Sequence, residues 1–451
     1  MQKSFDESRS GIYGLGHIRN EAYLAELKKL VGVNIVLRDF EDNIQNAYKQ
    51  KKEINFSYDV NGNLVEAAYD EKKTSRYAIE TGFYKKNEQS QYKKEMLYAT
   101  FSKDSYGSWI GVKFLTRFQM KNQFNAYRFG AISFRNFDSA NTFIIALHKE
   151  LLPGENWMFK KSSIEDYRRK TKYDILQSYL QHVFEKLLSD FIVGNPKNKD
   201  KILFSENSKY ALFNSGLLNK YAHDIYIVGE VYGLHNTKWF TLSNPVIAPG
   251  KVELIKSYLF NPQQINRLPD VVEFFDDLND IMYDPKIPID LDDTENIEHI
   301  IKDGIKRNRF PEKYKYLFDK GDLASISTSL KTAIENSLKI AKRNYKYVVP
   351  QYRSGKADES GKIQFLMPIY LDTQYGKSPD FALVLNIARF TGQSYYTPET
   401  VLELPWAYNN ARVICKPEDT WLNPTTIDSP PLEDDVDDEL LDEVKQELLV
   451  Q

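Results

Sequence analysis

TVLELPWAYNNARVICKPEDTWL, residues Thr400 to Leu422, is the stretch on which the fold turns. Val401 to Leu404 reads as a short strand. Pro405 then opens a helix in its first turn, where a missing N–H leaves no hydrogen bond unmade, and Pro417 stops it. At 3.6 residues per turn, Ala407, Ala411 and Ile414 share one side, a small-residue seam suited to close packing. Tyr408, Asn409 and Arg412 stand three and four residues apart on another side, with Asn410 beside them. A phenol, two amides and a guanidinium on one short helix make this the place to look for a ligand.

Upstream, three strands are expected at Ile363 to Leu371, Phe381 to Ala388 and Tyr395 to Leu404, the last pair turning at Thr391-Gly392-Gln393. Before them Asp322 reads as an N-cap. Leu323, Ile326, Leu330, Ile334, Leu338 and Ala341 follow it as the buried stripe of a long helix. Lys339 and Arg343 lie near the end of that helix, where cations suit the helix dipole and can meet phosphate. A second long amphipathic helix is expected over Tyr173 to Phe191, with His182 on its flank and no second histidine at helical spacing to make a metal site. An antiparallel sheet flanked by long helices is an α+β architecture.

Between these helices, Phe213 to Leu217 carries Asn214-Ser215-Gly216 and reads as a tight turn. Asn214 is a candidate ligand residue there, or one that holds its own loop through side-chain bonds to the backbone. His223 to Tyr232 alternates as a strand, with Lys238 to Leu242 as its partner. Residues 261 to 309 read as polar and irregular. The acidic DLDDTE patch within them, at 290 to 295, lacks the glycine of a calcium loop and is read as a solvated loop.

The N-terminal residues 1 to 153 read as a smaller mixed unit, ended by Pro153-Gly154. GIYGLG at 11 to 16 has the wrong spacing for a phosphate loop and no lysine–hydroxyl pair after it. A helix over Glu21 to Val31 and a hairpin at Asn61-Gly62 follow. Beyond the charged patch at 85 to 94, MLYATFSKDSYGSWIGVKFLTRF and AYRFGAISFRNF alternate apolar residues with Lys and Arg. Two or three antiparallel strands with a basic face are expected, a surface type that binds single-stranded nucleic acid through stacking and phosphate contacts. A helix over Thr142 to Leu152 completes the unit.

The 451-residue chain has 42% hydrophobic and 27% charged residues, ordinary for a globular protein of two or three domains. Its single cysteine, Cys415, excludes an internal disulfide framework and a thiolate zinc cage, and fits a reducing compartment. With no apolar run of membrane-spanning length and no apolar leader in MQKSFDESRSG, a cytoplasmic protein is expected. Net charge is −3, and Asp428 to Gln451 holds ten acidic residues and one lysine, so the body carries +6 against a tail of −9. Residues 425 to 451 are thus an acidic appendage, suited to engaging a protein partner or competing with nucleic acid.

The second unit resembles the domain-of-unknown-function family numbered 3825. The resemblance rests on AYNNARVICKPEDTWL (407–422), ALFNSGL (211–217), DIYIV (224–228), KWF (238–240) and YDILQSYLQHVFEKLL (173–188), with FDKGDL, IQFLMPIYL and DFALVL in the same order, and spans about residues 155 to 422. Relatives occur fused to RNA-associated modules of cold-shock-like and LOTUS type, which implies a role in RNA binding or processing. The resemblance carries over no catalytic residue.

Three readings remain open. In the first, a domain over 154 to 424 binds RNA or a nucleotide. Arg412 clamps phosphate, Asn409 and Asn410 read base or sugar edges beside Tyr408, Asn214 completes the pocket, and Lys339 and Arg343 add positive field. In the second, the protein is an enzyme processing RNA ends or a nucleotide, with Asp322, Glu335 or His223 as general base. In the third it is a structural or interaction protein in which Arg412 pairs with a buried carboxylate. No metal, cofactor or membrane is expected in any of them.

Overall fold

The computed structural model describes residues 21–428, apart from 59–63, 70–73, 86–94, 104–108, 118, 121–126, 161–170, 234–239, 356–360, 376, 391–392 and 418–420. GIYGLG, the Asn61-Gly62 turn, most of the charged patch and the acidic tail beyond Asp428 lie outside the described residues. The chain forms two units: Met1–Arg128 with Ser133–Ala140, and Phe129–Ile132 with Asn141–Gln451.

In the first unit α1 (Glu21–Val31) and α2 (Leu37–Lys49) precede β1 (Glu53–Tyr58), β2 (Leu64–Glu66), β3 (Thr74–Lys85), β4 (Glu95–Lys103) and β5 (Trp109–Thr116). The strands make an antiparallel sheet in the order β2-β1-β3-β4-β5. Strand alternation sends Tyr77, Ile79, Leu97, Ala99, Phe101 and Phe114 to one face, where Leu27 of α1 and Phe40, Ile44 and Ala47 of α2 bury them. Tyr77 and Phe101 stack there with ring centroids 4.6 Å apart. The alternate positions hold Phe56, Ala78 and Leu115, with Met120 against them. Arg76 and Lys113 also occupy alternate positions. Burial, with Arg76 nearby, pulls the Lys113 ammonium below the usual lysine range.

The short strands β6 (Tyr127–Phe129) and β7 (Ile132–Phe134) and the helix α3 (Phe137–Glu150) fall where the chain passes from one unit to the other. In the second unit α4 (Asp174–Val193) ends on Gly194 in the left-handed conformation, φ 73°, which satisfies the Asp190 carbonyl. Leu176, Leu180, Val183 and Leu187 form its buried stripe, each contributing about 1.5–3 kcal/mol by leaving water. Strands β8 (Ile202–Phe204), β9 (Tyr210–Leu218), β10 (Asp224–Tyr232) and β11 (Thr241–Pro249) lie antiparallel in that spatial order. Phe184 of α4 meets Phe213 of β9 with centroids 4.9 Å apart.

Two expectations are corrected here. Asn214-Ser215-Gly216 is no turn: β9 runs straight through it, with a register shift against β10 between Asp224 and Tyr226. Gly216, at φ 73°, supplies the backbone of a bulge, and the apolar residues on both sides keep the strand paired. Residues 261 to 309 are also more ordered than their polarity suggests. They follow α5 (Lys251–Ser257) and contain α6 (Pro262–Ile265) and α7 (Thr294–Lys306). The acidic patch leads into α7, where Asp293 accepts from the Asn296 N–H at 3.0 Å as an N-cap.

The helices α8 (Glu312–Asp319) and α9 (Leu323–Ala341) follow, and Asp322 caps α9 by accepting from Ser325 N–H at 3.2 Å. The final sheet is an antiparallel meander of β12 (Val349–Arg353), β13 (Lys362–Ile369), β14 (Phe381–Phe390) and β15 (Gln393–Leu402). α7 packs along β15 and α9 against β13, while α10 (Leu404–Arg412) lies on β12 and touches α4. Long helices on antiparallel sheets make this an α+β fold. Among the described residues no helix is long and apolar enough to cross a membrane.

Candidate functional site

Pro405 sits in the first turn of α10, and the helix buries Leu404, Pro405, Ala407, Tyr408, Asn409 and Ala411. The Ala407–Ala411 seam lets the helix approach its neighbours closely, and Tyr408 meets Phe159 edge-on at 5.6 Å. The polar residues of this helix then go three separate ways.

Asn410 points to the sheet. Its Nδ2 donates to Gln351 Oε1 at 3.1 Å, and the buried Gln351 Nε2 donates to Gln364 Oε1 at 3.1 Å. Gln351 and Gln364 face each other in the β12–β13 register. Gln364 Nε2 continues to Asn386 Oδ1 at 2.8 Å, and both Gln364 and Asn386 donate to Glu399. Glu399 in turn pairs with Arg353 at 2.8 Å and with Lys362 at 3.5 Å. A continuous row of amides thus crosses the four-stranded sheet from α10 to a carboxylate held by two exposed cations. Buried amides are tolerated because nearly every donor in the row meets an acceptor.

Arg412 points to the start of α4. Its guanidinium carbon lies 4.2 Å from the Trp157 ring centroid and 5.6 Å from that of Tyr179. It also donates to Glu155, a carboxylate 41% exposed, while its own side chain is only 11% exposed. The arginine therefore stacks on an indole and meets a half-open carboxylate, not a buried one. Burial pushes the Tyr179 phenol up to about 12, with Arg412 opposing that rise.

Asn409 is the exception. Its side chain is 7% exposed, yet Oδ1 has no hydrogen-bond partner. A buried acceptor without a donor is destabilising by about 1–3 kcal/mol, and native folds rarely keep one without a use. It sits one helical turn from Arg412, on the same short helix as the head of the amide row.

The remaining candidates lie elsewhere. Asn214 is buried in the β9 bulge, where Oδ1 accepts from Gly216 N–H at 3.0 Å and Nδ2 reaches Pro269 O at 3.5 Å. Ser215 Oγ donates to Ile225 O at 2.6 Å and pins the same bulge. Lys339 and Arg343 are exposed at the end of α9, Lys339 on Asn336 and Arg343 on the Lys339 carbonyl at 2.6 Å. Of the three candidate bases, Asp322 is occupied as the α9 cap and Glu335 is exposed on the same helix. The His223 N–H closes a turn onto Asn219. His182 Nδ1 lies 2.7 Å from the Ser178 carbonyl, one turn back on α4.

Gln351, Gln364, Asn386 and Glu399 are absent from the sequence-level candidates. Their signal is a lone glutamine inside an apolar strand run, as in VPQYR and KIQFLMPI, which buries an amide that must find a partner. A second network is also unforeseen. Lys186 Nζ meets Asp190 Oδ2 at 2.9 Å, fully inside the domain, and Asn198 Nδ2 donates to the same oxygen at 2.6 Å. Asn195 Nδ2 reaches the other carboxylate oxygen at 3.2 Å. It satisfies its own charges and has the marks of a core support.

No curated protein and no solved structure matches the chain. The model of the family described as a domain of unknown function, DUF3825, matches residues 149–421. That span holds α4, β8 to β11, the sheet of β12 to β15 and the whole of α10, and the chain belongs to the DUF3825 family.

Proposed function

We propose that the chain binds RNA or a nucleotide at the polar end of α10. The observation that carries the reading is Asn409 Oδ1, a buried acceptor with no donor of its own, on the helix that also carries Arg412 and Asn410. A nucleobase exocyclic amine or a sugar hydroxyl is the donor such an acceptor lacks. Arg412 is held over the Trp157 ring, and among the described residues its hydrogen-bond partner is Glu155. The other N–H groups of its fork suit a phosphate oxygen, and a guanidinium fixed by stacking loses little freedom on binding.

The amide row fixes Asn410, so the helix presents its polar groups on a rigid base. Asn214 in this reading shapes the bulge, while Lys339 and Arg343 act as exposed field charges.

Titration of the full chain with labelled single-stranded RNA and with nucleoside phosphates, at about 50 and 200 mM salt, tests the proposal. Saturable binding should weaken as salt rises, with a log–log slope of about −0.7 for each phosphate neutralised. Absence of saturable binding to all of these ligands removes the reading.

A further inference from the structure

We infer that the tip of the β9–β10 hairpin is a stacking platform for single-stranded RNA, with Tyr221 receiving a base of a strand that also reaches α10. The inference rests on the binding reading above and narrows its ligand from a nucleotide to a strand. Asn219, buried at the root of the tip, closes it on itself. Its Oδ1 accepts from the Tyr221 and His223 N–H groups, each at 2.9 Å, and its own N–H donates to the His223 carbonyl at 2.9 Å. Ala222 completes the reversal in the left-handed region, at φ 59°. The turn fixes the backbone of Tyr221 and leaves its side chain 68% exposed. A ring held in place this way loses little freedom when a base stacks on it.

A lone exposed aromatic is ordinary, but this one has a cation beside it. The Lys220 ammonium lies 5.2 Å from the Tyr221 ring centroid, and among the described residues it has no carboxylate partner. The His223 ring stands 6.3 Å away on the other side of Ala222. A ring for the base and an ammonium for the phosphate are the pairing that sites for single-stranded nucleic acid use.

The tip is also tied to the residues around Arg412. Leu151 bridges Asn219 antiparallel, and the Leu152 N–H donates to the Leu218 carbonyl at 2.9 Å. Glu155, which Arg412 meets, and Trp157, over whose ring its guanidinium lies, follow Leu152 directly in the chain. Tyr179, the other ring near Arg412, lies against β9 at Gly216, where an added Cβ would meet its hydroxyl at 2.7 Å. The path from Glu155 through the Leu152–Leu218 pair to Tyr221 is at most about 27 Å. A stacked strand of about eight nucleotides covers that length at a rise of about 3.4 Å each. A mononucleotide does not.

The test uses the full chain, natural and with Tyr221→Ala, Tyr221→Phe or Tyr221→Trp, and a labelled single-stranded RNA of about twelve nucleotides. Tyr221→Ala should weaken RNA binding about five- to 150-fold, the loss of one stacked base. Its thermal midpoint should stay unchanged, because the exposed ring supports no core. Tyr221→Phe and Tyr221→Trp keep a ring and should bind within about threefold of the natural chain. RNA should quench the indole emission of Tyr221→Trp beyond any change seen in the natural chain. Adenosine monophosphate at the same concentration should not.

Equal RNA affinity of the natural chain and Tyr221→Ala, equal losses in Tyr221→Ala and Tyr221→Phe, or no added quenching in Tyr221→Trp overturns the inference and leaves the binding reading standing. Quenching by adenosine monophosphate as strong as that by RNA also overturns it, since no strand is then needed. If the Tyr221→Ala midpoint falls, the quenching in Tyr221→Trp decides. RNA bound by none of these chains overturns the binding reading, and the platform falls with it.

Discussion

Replacing Asn409 by leucine separates a ligand residue from a structural one. Asn409 Oδ1 is buried and unpartnered, so the ligand-free protein carries its desolvation without return. Removing that acceptor with a side chain of similar shape recovers about 1–3 kcal/mol, because no hydrogen bond of Oδ1 is lost. Unfolding entropy near 60 °C is about 2.1 cal/mol/K per residue. The matched domain, residues 149–421, therefore loses about 0.6 kcal/mol of stability per degree near its midpoint. The thermal midpoint of Asn409→Leu should rise by about 2–5 °C by calorimetry on the full chain, while RNA or nucleotide affinity falls at least about tenfold, the loss of one good hydrogen bond. Such opposed changes are the signature of a site kept at the expense of stability. A midpoint that falls instead, or affinity that stays at the natural value, refutes the reasoning.

Three further predictions address the frame around the site. Asp190→Ala leaves the buried Lys186 ammonium without its carboxylate, and should destabilise by about 3–5 kcal/mol, lowering the midpoint by about 5–9 °C. The double variant Lys186→Met with Asp190→Leu should recover most of that loss in the same melt. Gly216→Ala puts a Cβ 2.7 Å from the Tyr179 hydroxyl at φ +73°. The urea midpoint should drop by more than about 1 kcal/mol equivalent, and an unchanged midpoint would mean the bulge is not needed. Tyr179 has its phenol raised from 10.0 to about 12 by burial, so the folded state favours the neutral form. Its contribution to stability is complete below pH 10 and is lost as pH rises toward 12, and Tyr179→Phe should flatten that alkaline fall in urea midpoint.

Where sequence and structure agree, local chemistry decided the element. Asp322 ahead of an apolar stripe caps α9, and Pro405 opens α10 because each meets a requirement of helix ends that needs no distant partner. Where they part, tertiary context decided. β12 is unexpected at the sequence level because VPQYR is short and carries Pro350, which a strand at the edge of a sheet accommodates. α7 hides behind an acidic patch whose last aspartate turns out to be its cap. Asn214-Ser215-Gly216 has turn composition, yet pairing with β10 on both sides converts one left-handed glycine into a bulge.

The site was half legible. α10 stands out from its own residues, while the amide row joining Asn410 to Glu399 depends on four strands of the sheet meeting in register, which no local pattern encodes. Arg412 likewise reads as a phosphate clamp or a structural pair from sequence. Its stacking on Trp157 and its half-exposed partner Glu155 come only from the packing of α10 against the start of α4.

The central claim is that the polar end of α10 touches nucleic acid. Photocrosslinking of 4-thiouridine-containing single-stranded RNA to the full chain, followed by mass-spectrometric mapping of the labelled peptides, tests it most directly. Crosslinks within Leu404 to Cys415, lost on addition of unlabelled RNA and in Asn409→Leu, are the result the account predicts. Saturable RNA binding with every crosslink outside that helix would contradict it.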